Sequence, residues 1–319
     1  MPLLLIGIDE AGYGPLLGPL CHGYAAVRVP DTTTETAWDL WHALRPAVGR
    51  AGCRGLAIDD SKKVYSGSDG LKSLEAGVRA FHVCANVGHR GSAFDLDALL
   101  PAEDLADLRQ DFWFEFNAPP ESAELEPPFD SPKLHNALTK IGAEAVAVGA
   151  RATSVRAFNS ALAKWGNKAD ASWRVIAREL KRLVSLSRPD ESIFAAIDRQ
   201  GGRKFYAALI GETFETALVH VECETDGVSV YRIEQKSRCI RVGFYVEGDS
   251  KHLLVALSSM AAKLARERCM MRMNAFFQRH QPGLKSTAGY YGDAQRFLEE
   301  TRELRARLQI RDAVFIRAK

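Results

Sequence analysis

Long apolar runs are missing from this sequence. No stretch of its 319 residues approaches the ~18 apolar residues that a membrane-spanning helix needs. The opening run LLLIGI is short and has no basic lead-in, so it is not read as a signal peptide. Cysteine is sparse. Cys21, Cys53, Cys84, Cys223, Cys239 and Cys269 are scattered, with no pair at a metal-ligand spacing. Without a secretory signal they read as reduced thiols that mostly fill the core, and the cytoplasm is the expected location. Nucleotide-binding signatures are missing as well. Gly12-Tyr13-Gly14 is not a dinucleotide fingerprint, because no third glycine follows at the required spacing and no helix is expected after it. Nor is it a GxxxxGK[ST] phosphate loop. There is no repeat and no low-complexity tract.

A large net charge is also lacking: the formal value is +2. Its distribution is more informative. Residues Phe94 to Pro132 hold eleven acids and one base, Arg109, a net of −10, which leaves the remainder at +12. A basic body with a segregated acidic segment is compatible with a nucleic-acid partner, although solvated faces of both signs give the same arithmetic. With 46% apolar and 26% charged residues, the composition suffices for one large domain or a core domain with an insertion.

Along the chain, Leu3–Ile8 reads as a buried strand and His22–Val29 as a second, joined to it by a glycine- and proline-rich loop. Leu56–Ile58 suggests a short strand, and Leu71–Phe81 a helix. Phe94–Lys140 is acidic and proline-rich and reads as a partly irregular insertion. Order resumes at AEAVAVGA. Trp173, Ile176, Leu180, Leu183 and Val184 then recur at helical spacing over Ala171–Ser187, and SRPD stops that helix. SIFAAID is another buried strand. LVHVECETDGVSVYRI alternates and turns at Asp226-Gly227, and RCIRVGFYV suits a neighbouring strand. Helices are expected over His252–Phe277 and Ala294–Leu308. The pattern is a mixed α/β sheet flanked by helices, with an acidic insertion and a helical C-terminal part.

Four acids sit where apolar runs end: Asp9 and Glu10 in GIDE, Asp198 in AIDR and Asp249 in VEGDS. An acid is costly within a buried strand, but at its end it can meet counterparts at one sheet edge. Crowded carboxylates repel unless a cation neutralises them, and hard divalent ions such as Mg²⁺ or Mn²⁺ suit an all-oxygen set. Two such ions would serve phosphodiester hydrolysis. Singly, these acids also read as turn formers or caps, with Asp249 capping the long helix. Asp59 and Asp60 in LAIDDSKK follow the same rule, but a helix comes next, so Asp60 or Ser61 is read as its cap. The glycine loop offers bare backbone beside the acids, or simply a tight connection. On the long helix Leu253, Leu257, Met260 and Leu264 share one side, and Ser259, Lys263 and Arg266 cluster on another, a face for phosphates or for water.

Taken together these motifs resemble the ribonuclease HII family (type 2 ribonucleases H). DEAGYGPLLGP resembles its D-E-x-G-R-G-P-L-x-G. Asp60-Ser61-Lys62-Lys63 resembles its D-S-K-K block, and Asp198 its mid-chain aspartate. GDSKHLLVALSSMAAKLARE, Gly248 to Glu267, runs without a gap along its G-D-S…A-A-S-I-x-A-K-x-x-R-D block, and Tyr291-Gly292-Asp293 resembles its Y-G-T. The match covers roughly two thirds of the chain. Residues about 90–140 and a β-meander at about 213–245 look like additions to a single catalytic domain.

The resemblance implies a ribonuclease H-like fold and cleavage of RNA strands, or single ribonucleotides, in duplex with DNA. It implies Asp9, Glu10, Asp198 and Asp249 as catalytic ligands of two Mg²⁺ or Mn²⁺ ions, and a monomer acting on nucleic acid without a membrane. Gly12, Tyr13 and Gly14 would lie against the ribose 2′-OH. Lys62 or Lys63 would meet phosphate, with Ser259 and Lys263 on the adjoining helix face, and Tyr291 would pack on a sugar. Two positions depart from the pattern. Tyr13 replaces the family's Arg, removing a phosphate contact, and Asp293 replaces its Thr, placing a negative charge where nucleic acid would pass. Two alternatives follow: a nuclease of this fold with another substrate, such as structured RNA or single-stranded DNA, and a non-catalytic nucleic-acid-binding homologue.

Overall fold

The structure is a computed structural model and describes residues 2–30, 39–86, 94–115, 131–235 and 238–318. Its strands are β1 (Leu3–Ala11), β2 (Leu20–Val29), β3 (Val48–Gly49), β4 (Leu56–Ala57), β5 (Glu144–Thr153), β6 (Ser192–Asp198), β7 (Leu218–Glu224), β8 (Val228–Gln235) and β9 (Arg238–Tyr245). Seven of them form one sheet in the order β5-β2-β1-β6-β9-β8-β7, and β3 and β4 pair separately. β1, β6 and β9 are parallel neighbours, while β2 and β8 run antiparallel to them. The expected mixed sheet flanked by helices is therefore present. Leu56–Ala57 is a strand, but of the small sheet rather than the main one.

The near-continuous apolar run of β1 belongs to a strand covered on both faces. Side chains alternate along it. Leu3 and Leu5 join the core under the long helix Leu253–His280, whereas Leu4, Ile6 and Ile8 join the core under the helix Lys168–Val184. The long helix approaches β1 and β2 closely. A Cβ on Gly7 would overlap the Leu254 backbone, and one on Gly23 the Ser258 carbonyl. Ser258 Oγ donates to Gly7 O at 2.9 Å across that contact. Among the described residues no helix is long and apolar enough to cross a membrane.

The acidic segment differs from the sequence expectation in how its charge is held. Leu96, Leu99, Leu105, Leu108, Trp113 and Phe114 join the main core. Glu103 and Asp104 pair with Arg151 of β5, Asp107 with Arg156, and Asp95 with Arg272 of the long helix. The excess negative charge of these residues is spent on arginines of the body rather than presented to a ligand. Residues 116–130 of the expected insertion lie outside the described residues. The described remainder is helical at Leu96–Leu99, Ala102–Leu108 and Ser131–Lys140. The last expected helix is two, Tyr291–Glu300 and Arg302–Arg307, interrupted where Thr301 Oγ1 bonds back to Phe297 O at 2.7 Å.

Candidate active site

β1 runs three residues further than its apolar pattern, so Asp9 and Glu10 lie within its last turn of pleat. Alternation sends Asp9 toward the long helix and Glu10 to the opposite face. The parallel register pairs Ile8 with Ile197, which places Asp198, the last residue of β6, level with Asp9. Beyond β9 the chain reverses through Glu247, whose φ of 54° is left-handed. The turn brings Gly248 N to Asp198 Oδ1 at 2.8 Å and Asp249 into the first turn of Gly248–Lys251. Asp249 does not cap the long helix; the N-cap there is His252. The acids thus gather beyond the carboxyl ends of parallel strands, the edge where open α/β sheets bind ligands.

There they line a cleft of about 640 Å³ with Gly12, Tyr13, Lys62, Lys63, Ser259 and Lys263. Asp60, Ser61 and Arg266 also line it, as do Glu247, Ser250 and Tyr290, for which the sequence carries no site signal. Asp60 does cap the helix Ser61–Val64, as expected, accepting from Lys62 N at 2.8 Å, yet it faces the cleft too. Its partner Asp59 is buried and engaged by Arg50 and Lys63, so it is structural. Of the neighbouring tyrosines, Tyr290 lines the cleft and Tyr291 does not. The Y-G motif points to Tyr291, the residue before Gly292, and gives no signal for its neighbour Tyr290. Asp293 is not a loose charge. It accepts from Thr287 Oγ1 and Ala288 N and pairs with Arg296 at 2.7 Å, and although burial opposes this, these partners hold its carboxyl below the usual range.

The electrostatics of the four acids follow from burial and mutual repulsion. Burial first, then Asp198 and Glu10, push Asp9 well above the carboxylate range, which hydrogen bonds from Ser259 and Glu10 N offset only in part. Glu10 is pushed up to about 8 by burial and by Asp198. Asp198 rises to about 6 through burial, opposed by the Gly248 N–H and reinforced by Asp249. Asp249 is raised by burial and by Asp60. Glu10 Oε2 is buried and accepts no hydrogen bond. A bound cation would favour the ionised form of carboxylates raised in this way. Among the described residues no three His, Cys, Asp or Glu side chains are gathered into a ready ligand cage. Ions held by one or two carboxylates each, with water and substrate completing the shell, fit this set; Mg²⁺ is commonly bound in that way.

The glycine loop lies against the acids. Gly12 has φ of +87°, and a Cβ there would meet Arg266 Cδ at 2.8 Å, so glycine is required. A Cβ on Gly14 would meet nothing within 4 Å. Nothing within the chain demands glycine at that position. The Tyr13 ring packs against the cluster of Leu20, Phe158 and Leu162. Arg266, on the helix face read as available to phosphate or water, is buried and donates to Leu17 O, Pro19 O and Ala288 O. Lys263 pairs with Glu267 at 2.9 Å.

The fold and site define an α/β protein with an acid-lined cleft at the carboxyl edge of its parallel strands. No family model matches the chain, and no curated protein matches it. Among solved structures it is similar to ribonuclease HII of Archaeoglobus fulgidus, seen in a complex with PCNA, at TM-score 0.44 and 18% identity over 99% of this chain and 95% of that one. It is similar to ribonuclease H2 of Pyrococcus horikoshii OT3 at TM-score 0.43 and 14% identity over 98% and 92%. A Bst ribonuclease HIII in complex with Mn²⁺ gives TM-score 0.40 and 15% identity over 98% and 66%.

Proposed function

We propose that this protein is a divalent-metal-dependent endonuclease of ribonuclease HII type, hydrolysing the RNA strand or embedded ribonucleotides of RNA/DNA duplexes. The observation that carries the reading is the convergence of Asp9, Glu10, Asp198 and Asp249 on one cleft, with burial and repulsion raising their pKa values and Glu10 Oε2 unpartnered. These residues would hold Mg²⁺ or Mn²⁺, which when bound supplies an activated water and charge stabilisation on the leaving oxygen. The chain does the rest. Gly248 N fixes one oxygen of Asp198, leaving the other for the cleft. Lys62 and Lys63, at the cleft wall, supply positive charge for a phosphate backbone. The open space over Gly14 lets a substrate sugar approach the backbone. The chain is taken as one catalytic domain, with about 90–140 and about 213–245 as additions to it.

Tyr13 favours a second reading, a nuclease of this architecture acting on a different nucleic acid, because an uncharged ring seated on Phe158 and Leu162 replaces a phosphate-binding arginine. A cleavage panel separates the two: RNA/DNA hybrid, a DNA duplex with one ribonucleotide, double-stranded RNA, single-stranded DNA and all-DNA duplex, each with Mg²⁺ or Mn²⁺. The first reading requires cutting of the first two substrates only. Cutting of all-DNA duplex as well as hybrid would replace it with the second.

A further inference from the structure

The glycine loop between β1 and β2 is held from behind by two guanidinium groups. Arg266 comes from the long helix and Arg317 from the segment that follows the last helix. Arg317 is 2% exposed and Arg266 3%. Among the described residues neither forms an ion pair; their partners are loop carbonyls. Arg317 Nε donates to Gly18 O at 2.8 Å and its Nη1 to Gly12 O, while Nη2 is buried without a partner. Its own backbone N donates to Leu16 O at 2.9 Å. The segment that delivers Arg317 is fixed independently. Phe315 is buried in the main core, and Asn159 Nδ2 donates to Ala313 O and Ile316 O, each at 2.9 Å. Arg317 also lies over the Phe158 ring, 5.2 Å from its centroid, and Phe158 belongs to the cluster that seats Tyr13.

Burying a guanidinium without a carboxylate is expensive, and stability alone is commonly served as well by an apolar side chain. What an arginine adds is direction. In a planar trans peptide the C=O and the following N–H point opposite ways. Drawing Gly12 O to Arg317 therefore turns the Tyr13 N–H away from the arginine, and Gly12 and Tyr13 both line the cleft. The positive charge at the oxygen end of that peptide also favours an electron-rich acceptor at its N–H end.

We propose that Arg317 is a positioning residue of the cleft: by holding the carbonyl oxygens of Gly12 and Gly18 it presents the Tyr13 N–H to an acceptor oxygen of the bound strand. The proposal rests on reading the cleft as a nuclease site. Its test separates the two. In Arg317→Gln, hydrogen exchange in a peptide spanning residues 12–19 rises about tenfold while exchange in β6 is unchanged. On a duplex with one ribonucleotide in Mn²⁺, KM rises about tenfold with kcat nearly constant, the pattern of lost binding rather than lost chemistry. Stabilisation by Mn²⁺ alone is unaltered, and Arg317→Lys, which keeps the charge, restores part of the KM. Unchanged exchange in residues 12–19 overturns the proposal, as does faster exchange with KM unchanged. Wild-type protein without cleavage overturns the nuclease reading and leaves Arg317 no substrate to position, whereas the exchange measurement still reports whether it holds the loop.

Discussion

Replacing Glu10 by glutamine should make the metal-free protein more stable. Glu10 is chosen because its Oε2 has no hydrogen-bond donor to lose. Burial and Asp198 raise its pKa from 4.5 to about 8. The sign follows. Below the unfolded value both states hold the proton, so there is no penalty. As pH rises past 4.5 the unfolded chain ionises and the folded one does not, and the penalty grows until the folded group ionises near 8. At pH 7 the gap of about 2.5 units sets a ceiling of about 3.5 kcal/mol at ~1.4 kcal/mol per unit. At about 2 °C per kcal/mol for a chain of this size, Glu10→Gln should melt up to about 7 °C higher than wild type in EDTA at pH 7. The difference should fall to near zero at pH 4.5. Thermal unfolding at pH 4.5, 7 and 8.5 measures this directly. Mn²⁺ at about 1,000 times its Kd should reverse the order, since it then contributes about 4.1 kcal/mol to the protein that binds it. A difference that does not vary with pH, or a variant less stable than wild type in EDTA, refutes the reasoning.

Gly12→Ala forces a left-handed φ and a clash with Arg266, costing about 1–3 kcal/mol in a melt and abolishing cleavage. Gly14→Ala should leave the melting temperature unchanged, because its Cβ meets nothing within 4 Å, and raise KM if the substrate sugar approaches there; an unchanged KM would show that it does not. Mn²⁺ affinity measured by titration should strengthen between about pH 6 and 8, as Asp198 and Glu10 give up their protons, and a flat profile would exclude them as ligands. Asp104→Ala removes one of the carboxylates around the buried Arg151, leaving Glu103 and Glu179, and frees the Ala152 N–H; it should lower stability by about 1–3 kcal/mol, read from denaturant unfolding.

What was legible in the sequence shares a physical cause. β1 and β6 are covered on both faces, so each reads as an unbroken apolar run, and an acid at the end of such a run is conspicuous. The hairpin of β7 and β8 announces itself through Asp226-Gly227, which falls in the turn between them. The four acids could be proposed as a set because all of them end apolar runs. Asp60 was hidden by its own cap signature; nothing in a linear reading shows that one carboxylate can both cap a helix and face a cleft. Arg266 was read on a face open to phosphate or water because helical spacing separates it from the apolar stripe. In the fold Ser259 and Lys263 of that side do line the cleft, but the Arg266 guanidinium is buried on loop carbonyls, and polar partners remote in sequence are invisible to periodicity. The pairing of Asp95, Glu103, Asp104 and Asp107 was hidden for the same reason: their partners Arg272, Arg151 and Arg156 lie well beyond them in sequence.

The most direct test of the central claim is strand scission of a DNA duplex containing one ribonucleotide, comparing wild type with Asp9→Asn at millimolar Mn²⁺ and in EDTA. The account predicts cutting at the ribonucleotide by wild type with metal, none in EDTA, none by Asp9→Asn although that variant remains folded, and none on the all-DNA duplex. Equal cutting by Asp9→Asn, or a folded wild type that cuts nothing at millimolar Mn²⁺, would contradict it.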